Sequence, residues 1–227
     1  MIKPNWPAPK NISAFTTTKA NNLNLQLESN RLKLIDIFSL PSDPIWLKQV
    51  HSNRVIDLNK TPKNFEADAS FTSKPNVICT AITADCLPIL VCSKDGSEVA
   101  AIHAGWRGLS NAIIKNALNC MKSDRNNLLA WMGPAISQQY FEVGNDVREQ
   151  FLAQNQQSVS AFQATKQAKW LADIYKIAVL ELTRYGVLEI YGGKLCTYSD
   201  KEHFYSYRRD GKITGRIASL IWINSQN

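Results

Sequence analysis

Residues 100–108 read Ala-Ala-Ile-His-Ala-Gly-Trp-Arg-Gly, an apolar run that is interrupted by one histidine and ends in a loop with two glycines. The run up to His103 is typical of a short buried strand. After the second glycine the apolar residues recur at helical spacing over about 109–121, with Ser110 or Asn111 near the start. This stretch therefore predicts a strand that leads into a helix, with His103 near the junction.

Other segments on both sides of this stretch read as strands or helices. The strands are predicted at 76–82, 88–92, 98–103, 187–191 and 216–223, and residues 128–136 are predicted to be a strand followed by a Gly-Pro turn. The helices are predicted at 144–153 and about 168–185. Lys-Asp-Gly at 94–96 predicts a hairpin turn between two of the strands. The mixed order indicates a layered α/β (α+β) fold, and no domain boundary is evident.

Composition is that of an ordinary soluble globular protein, with 44% hydrophobic and 20% charged residues among 227. No apolar run reaches the roughly 18 residues that a membrane span needs. The first residues lack the apolar segment of a secretory signal, so the predicted location is cytoplasmic. Five cysteines, an odd number, predict free thiols rather than a disulfide framework.

The net charge of +7 permits either a nucleic-acid partner or an anionic small molecule. The basic residues are dispersed, apart from the Arg208-Arg209 pair, and no Lys/Arg-rich tail exists. This distribution favours an anionic metabolite over a polynucleotide. The predicted partner is a small-molecule substrate, with no nucleic acid and no membrane, and the oligomeric state is left open.

His51, Cys86 and His103 each lie in a short polar interruption of an apolar stretch. Two imidazoles and one thiolate suit zinc, and a catalytic zinc keeps three protein ligands and an open fourth position. The three residues are too far apart in sequence for a local zinc finger, so the fold would have to bring them together. The alternative is a buried structural thiol with two hydrogen-bonded core histidines.

The loop after His103 is a second candidate feature. Its glycines allow close backbone approach, a helix N-terminus favours anions, and Arg107 carries a planar set of donors. A phosphate or carboxylate beside the metal would fit this loop. The alternative is a tight strand–helix turn with a solvated Arg107.

Acidic residues offer further candidates. Asp85 precedes Cys86 and would orient a metal-bound histidine or transfer a proton, or simply cap a turn. Asp68, Glu142 and Asp146 lie in loop-like contexts and are equally consistent with surface charges.

The C-terminal string at 204–211, Phe-Tyr-Ser-Tyr-Arg-Arg-Asp-Gly, places aromatic rings beside two arginines. Such a surface would stack a base and hold an oxyanion. An ordinary edge strand with a turn explains the same residues and is favoured. His203 lies outside any apolar stretch and is predicted to be exposed.

Taken together, these residues resemble the YfiH-type family, also described as laccase-domain or multicopper polyphenol oxidase-like. The resemblance runs from about residue 40 to the C-terminus, in order. The matching strings are Gln-Val-His (49–51), Asp-Ala-Ser (68–70), Thr-Ala-Asp-Cys-Leu-Pro (83–88), the 100–108 stretch, Gly-Pro-Ala-Ile (133–136), Phe-Glu-Val-Gly (141–144), Leu-Ala-Asp-Ile-Tyr (171–175), Cys-Thr-Tyr (196–198) and the 204–211 string.

The resemblance implies one compact domain over residues 1–227, with mixed β-sheets packed between helices. It implies zinc, with copper less favoured, bound by His51, Cys86 and His103. The implied activity is phosphorolysis of purine nucleosides, including methylthioadenosine, together with deamination of adenosine.

Site roles follow from combining the resemblance with the chemistry of the residues. The predicted catalytic residues are Cys86, Asp85 and Glu142. The predicted substrate-binding residues are Arg107, Gln49 and Arg208.

Three other functions remain open. The first is an amidase that removes a wrongly added serine from a UDP-linked muramic acid precursor, an activity also linked to the family. The second, ranked lower, is copper-dependent phenol oxidation, which three ligands do not support well. The third is a structural metal in a binding protein, which would need a fourth ligand such as Cys196.

One departure from the family pattern lies near the N-terminus. The family's Phe-Thr-Thr-Arg-Gly-Gly-Val-Ser opening is here Phe15-Thr16-Thr17-Thr18-Lys19, followed almost directly by Asn22-Leu23-Asn24-Leu25. The arginine position is Thr18 and the Gly-Gly-Val-Ser loop is missing. If that loop contacts substrate, specificity would differ, and Lys19 would replace the charge only as a point charge.

Overall fold

The computed structural model describes residues 1–21 and 23–225, so Asn22 lies outside the described residues. Within these ranges the chain forms twelve β-strands and six α-helices. The strands are β1 Ile12–Thr16, β2 Val55–Asp57, β3 Ala69–Thr72, β4 Cys79–Thr83, β5 Leu87–Ser93, β6 Val99–Ala104, β7 Leu128–Met132, β8 Glu142–Val143, β9 Phe162–Ala164, β10 Trp170–Ala172, β11 Glu189–Gly192 and β12 Ile217–Ile223. The helices are α1 Glu28–Phe38, α2 Trp106–Ser110, α3 Ile113–Cys120, α4 Asn145–Gln154, α5 Ile174–Arg184 and α6 Tyr207–Asp210.

The strands form three sheets. The largest has six strands in the order β11-β7-β5-β6-β3-β2, with parallel pairs at both edges and antiparallel pairs between them. A second, antiparallel sheet has the order β1-β12-β4, and a small third sheet has the order β8-β10-β9. The largest sheet is therefore mixed, as the sequence predicts, whereas the other two are antiparallel.

Helices α2 to α5, the six-stranded sheet, the β1-β12-β4 sheet and helix α1 pack on one another in that order. Strand β5 shows why, because successive side chains point to opposite faces. Ile89 and Val91 pack into the core formed with helices α2 to α5. Leu90 and Cys92 pack into the core between the six-stranded sheet and the β1-β12-β4 sheet. Leu34 of α1 covers the outer face of that second sheet, which confirms the prediction of sheets packed between helices.

The predicted hairpin is confirmed. Strands β5 and β6 pair antiparallel, and the turn between them places Gly96 at φ +72°, a conformation that glycine adopts without strain. The other predicted strands and the helix at 144–153 are present within a few residues of the predicted bounds. All five cysteines are free.

The continuous helix predicted over 109–121 is wrong. Helix α2 begins earlier, at Trp106, and ends at Ser110, and the backbone N–H of the next residue, Asn111, caps its last turn. Ala112 then adopts a left-handed conformation, with φ +63°, before α3 begins. The break turns the chain so that two short helices, rather than one long one, cover the sheet.

The helix predicted at 168–185 starts too early. Residues 170–172 pair with strands β8 and β9 as β10. Asp173 then ends the extended segment, because its carboxylate accepts a hydrogen bond of 3.0 Å from the Lys176 N–H and caps α5.

The edge strand predicted within 204–211 is a short helix, α6. The Ser206 side chain accepts a hydrogen bond of 3.2 Å from the Arg209 N–H at the start of this helix. His203 is exposed, as predicted. Among the described helices, none is both long and apolar enough to cross a membrane.

Candidate metal centre and substrate pocket

The fold brings His51, Cys86 and His103 together, as the sequence predicts. His103 lies in β6, Cys86 directly precedes β5, and His51 lies in the loop before β2. Their potential ligand atoms all lie within 4.8 Å of one another. The His51 Nε2 atom is 3.8 Å from the Cys86 Sγ atom, and the two imidazole rings are 4.9 Å apart at their centres.

This donor set fits a zinc ion. Zinc bonds of about 2.0–2.1 Å to nitrogen and about 2.3 Å to sulfur place tetrahedral N and S ligands about 3.6 Å apart. The observed 3.8 Å between His51 Nε2 and Cys86 Sγ is close to that separation. Within the described residues no fourth His, Cys, Asp or Glu joins the cluster. Cys196, the residue that a structural site would need, instead contacts the Ser137 hydroxyl at 3.0 Å.

Asp68 holds both histidines in place. Its Oδ1 atom lies 2.8 Å from His103 Nδ1, which leaves Nε2 of that ring for the metal. The same carboxylate accepts hydrogen bonds from the backbone N–H groups of Val50, His51 and Ser52 and from the Ser52 hydroxyl. A carboxylate that fixes a metal-binding histidine is a common arrangement around zinc. The structure therefore gives Asp68 the orienting role that the sequence suggested for Asp85.

The backbone at His51 is held in a rare conformation. His51 has φ +60°, the left-handed region that few residues other than glycine adopt. Three consecutive N–H groups converge on the Asp68 carboxylate around this residue. These bonds offset the cost of the backbone conformation and aim the imidazole at Cys86.

Charges within the cluster alter three pKa values. Burial raises the pKa of the Cys86 thiol, but the charge of His103 and hydrogen bonds from both histidines outweigh burial and bring it down to about 6. Burial lowers the pKa of His103, but the Cys86 thiolate and Asp68 raise it to about 9. Burial raises the pKa of Asp68, but hydrogen bonds from His103 and Ser52 lower it to about 2. Near neutral pH the cluster therefore contains a thiolate, the form in which cysteine binds metals, and metal binding here would release a proton from His103.

The Asp68→Asn variant should bind metal about 10- to 100-fold more weakly, because the amide no longer orients His103 as an anion does. Its free energy of unfolding should fall by about 1–3 kcal/mol, since buried donors lose their acceptor. Competition with a chromogenic chelator and thermal melting measure the two effects. Asp200→Asn is the matched control, because Asp200 pairs with the exposed His203 at 2.9 Å. Equal metal affinity in the two variants would contradict the role of Asp68.

The metal cluster lies in the wall of a pocket of about 670 Å³. Such a volume is within the usual range for small-molecule sites. The described residues that line it include one carboxylate, Asp85, and five cationic side chains. The cationic residues are Arg31, Lys48, Arg107, Arg208 and Arg216. The pocket is therefore suited to an anionic ligand.

The three predicted substrate-binding residues all line this pocket. The Arg107 guanidinium is exposed, lies over the Trp106 ring at 4.3 Å, and has no hydrogen-bond or ion-pair partner among residues 1–21 and 23–225. Arg208 donates to the backbone carbonyls of Tyr140 and Glu142 at 3.1–3.3 Å. The Gln49 side chain pairs with the backbone N–H and C=O of Ile82, at 2.7 and 2.8 Å. Arg107 thus has the most donors available for a ligand.

Asp85 lies in the pocket wall at φ +85° and is buried. Its carboxylate accepts hydrogen bonds from the Thr197 hydroxyl at 2.6 Å, the Ser206 hydroxyl at 3.0 Å and the Arg208 N–H at 2.6 Å. These contacts fasten the start of α6 to the loop that carries Cys86.

Glu142 does not belong to the pocket lining among the described residues. Its exposed carboxylate forms an ion pair with Lys169 at 2.9 Å. Lys19 also lies elsewhere, donating to the Lys201 carbonyl at 2.9 Å and lying over the Tyr205 ring at 5.3 Å. Lys19 therefore adds no charge to the pocket in place of the arginine that the family has at position 18.

Sequence reasoning missed several pocket residues, Arg31 and Arg216 above all. Both lie in segments without a recognisable motif, and an arginine on a helix or before a strand usually signals only a solvated face. Tyr207 and Arg208 of the 204–211 string do line the pocket, which agrees with the option that the sequence reading ranked lower.

Comparison with known proteins yields close relatives over almost the whole chain. The chain is 43% identical to a Haemophilus influenzae protein named purine nucleoside phosphorylase, covering 97% of this chain and 98% of that one. It is 42% identical to the Escherichia coli purine nucleoside phosphorylase YfiH, covering 98% of each. The crystal structure of Neisseria meningitidis protein NMB0706 superposes with a TM-score of 0.89, at 38% identity and covering 99% of both chains.

The fold also matches a more distant structure, YlmD from Geobacillus stearothermophilus, with a TM-score of 0.84 at 21% identity over 96% of this chain and 94% of that one. A family model described as multi-copper polyphenol oxidoreductase laccase matches residues 14–224. With that match, and with relatives above 40% identity along its length, the chain belongs to this laccase-like, YfiH-type family.

Proposed function

We propose that this protein is a zinc-dependent purine nucleoside phosphorylase that also accepts methylthioadenosine and deaminates adenosine. The observation that carries the proposal is the His51, Cys86 and His103 cluster in the wall of a cationic pocket. Relatives named purine nucleoside phosphorylase, about 40% identical over nearly the full chain, support the same activity.

Phosphorolysis needs a phosphate ion held against the ribose carbon that bears the base. Arg107 is suited to hold it, because a planar guanidinium binds two phosphate oxygens at once and its donors have no partner among the described residues. The pocket position of Arg107, close in sequence to His103, brings the phosphate near the metal ligands. Holding both reactants in one geometry lowers the entropic part of the barrier.

Zinc at the cluster would supply a Lewis acid that stabilises developing negative charge and activates water at neutral pH. Asp68 keeps His103 oriented for that ligand role. In this proposal Cys86 acts as a ligand, since a metal-bound thiolate is a poor nucleophile. Asp85 stays in the pocket wall and holds α6, while its predicted part in proton transfer, like that of Glu142, remains a prediction.

The metal-loaded protein should convert adenosine to adenine and ribose-1-phosphate only when phosphate is present, and to inosine without it. Chromatography of both reactions, with ribose-1-phosphate measured separately, tests this. Neither product from metal-replete protein would refute the proposal. Arg107→Ala should raise the KM for phosphate about 10-fold or more, as expected for loss of a charged hydrogen bond. Arg54→Ala is the matched control, because Arg54 is exposed and ion-paired with Glu66.

A second candidate is the amidase reaction on a muramic acid–amino acid precursor. It is favoured by the spatial arrangement in which His103 lies beside the Cys86 thiol and is hydrogen-bonded to Asp68. This arrangement resembles a thiol nucleophile with an oriented base. Release of serine from the UDP-linked precursor by metal-depleted protein, abolished by Cys86→Ala, would support this function. Serine release that requires metal would instead assign the attack to water.

A further inference from the structure

The pocket lining contains a second group of cations, on chain segments other than those that carry the His–Cys–His cluster. Arg31 of α1 lines the pocket, and its Nε atom donates to the Leu25 carbonyl at 2.8 Å. The guanidinium lies over the Trp46 ring at 5.1 Å. Its two terminal nitrogens have no hydrogen-bond or ion-pair partner among residues 1–21 and 23–225. This half-buried cation therefore keeps a pair of donors available.

Arg216 lies on the same rim. Its Nη1 atom donates to the Thr214 and Gly215 carbonyls, at 3.0 and 2.9 Å, which leaves Nη2 and Nε without a partner in the part of the chain that the structure describes. The Leu25 N–H donates to the Arg216 carbonyl at 3.1 Å. Because Leu25 bonds to both arginines, the two guanidinium groups are held on one segment of the pocket rim.

A buried hydroxyl adjoins this rim. Thr83 lines the pocket and pairs with Ile217, the residue after Arg216. The side-chain oxygen of Thr83 is buried and lacks a hydrogen-bond partner among the described residues. A buried polar group without a partner is unfavourable, so a ligand oxygen placed against Thr83 would give its hydroxyl the hydrogen bond that the described residues do not provide.

The length of the connecting chain gives an upper limit to the distance between this rim and the His–Cys–His cluster. Thr83 precedes Cys86 by three residues, which limits their Cα separation to about 10 Å. Trp46, under Arg31, precedes His51 by five residues, a limit of about 17 Å. One ligand of nucleotide length therefore spans both ends of the pocket.

We propose that Arg31 and Arg216 form a subsite for a phosphoryl group carried by the substrate itself, with Thr83 beside it. This inference deepens the proposed function and rests on it, with phosphorylated purine nucleosides as the preferred substrate class. A neutral nucleoside would leave the free donors of these two half-buried guanidinium groups without an acceptor in the part of the chain that the structure describes. Arg107, four residues after His103 and in the same pocket lining, remains for the free phosphate that attacks the ribose.

The experiment compares adenosine 5′-monophosphate with adenosine as substrates of the metal-loaded protein. In the wild type the monophosphate should have the lower KM and the higher kcat/KM. Arg31→Gln and Arg216→Gln should each raise the KM for the monophosphate about 10-fold while changing that for adenosine less than about twofold. Arg31→Lys should restore part of the effect, because it keeps the charge. Arg54→Gln, outside the pocket, should change neither value.

Calorimetric titration of the monophosphate, adenosine and inorganic phosphate separates the remaining outcomes. Tight monophosphate binding that depends on Arg31 and Arg216, without any turnover, supports the subsite even though the proposed phosphorylase activity fails. If the two variants lose affinity equally for adenosine and for its monophosphate, or if the wild type does not prefer the monophosphate, the subsite is overturned while adenosine turnover stands. Loss of inorganic phosphate binding alone also overturns it, since the rim would then hold the free ion.

Discussion

The His103→Ala variant, purified without added metal, should contain less than about a tenth of the metal found in the wild type. The remaining two ligands, His51 and Cys86, cannot complete a site that already uses only three protein groups. Activity should fall by more than the roughly 100-fold that loss of an outer-shell partner causes. Elemental analysis of both proteins measures the metal, and the same measurement distinguishes zinc from copper.

His203→Ala is the control for this experiment, because His203 is exposed and bonds to Asp200 rather than to the cluster. It should keep full metal content and activity. A variant at position 103 with wild-type metal content would show that the cluster does not hold the ion. Stoichiometric copper in the wild type would instead favour the copper-dependent oxidation that the sequence analysis ranks lower.

The candidate metal-binding residues could be picked out of the sequence because their residue types are rare. Only three histidines occur in the chain, and two of them interrupt apolar segments. Their convergence was not predictable from spacing, since it depends on the pairing of β5 with β6 and on the left-handed backbone at His51. The left-handed backbone conformation of His51 cannot be recognised from a single sequence.

The carboxylate that orients His103 was also not predictable from local sequence. Asp85 is next to Cys86 in sequence, so it was the natural first choice for that role. In the folded chain, backbone pairing places the Asp68 carboxylate against His103, while Asp85 turns toward Thr197 and Ser206. Which of two buried aspartates meets a histidine is decided by strand register, which local sequence does not specify.

The fold was predictable where turn chemistry marks it. Lys-Asp-Gly at 94–96 marks the hairpin, whereas Ala112 breaks a helix although alanine is the strongest helix former. Tertiary packing decides that break. Strand β1 pairs with β12 across some 200 residues, a contact that no periodicity in a short window reveals.

The Gly105→Ala variant should lose metal affinity and activity although it removes no ligand. A Cβ atom at Gly105 would lie 2.9 Å from Cδ2 of His51 and 3.1 Å from Sγ of Cys86. Both distances are shorter than ordinary contacts, so one or both ligands must move. The backbone at Gly105 has φ −70°, which alanine adopts without strain, and the effect is therefore one of space.

Because a shift of about 1 Å at a reacting centre costs about 100-fold, kcat/KM should fall by about 10- to 100-fold at saturating metal, and metal affinity by about 10-fold or more. Metal titration together with kinetics at saturating metal measures the two losses separately.

Gly211→Ala is the matched control: its Cβ would meet nothing within 4 Å, but its φ of +70° makes the substitution strained. The control should lower the melting temperature and leave metal affinity unchanged. Full metal affinity in Gly105→Ala would mean that His51 and Cys86 do not jointly hold the ion, because the added methyl group cannot be placed without displacing at least one of them.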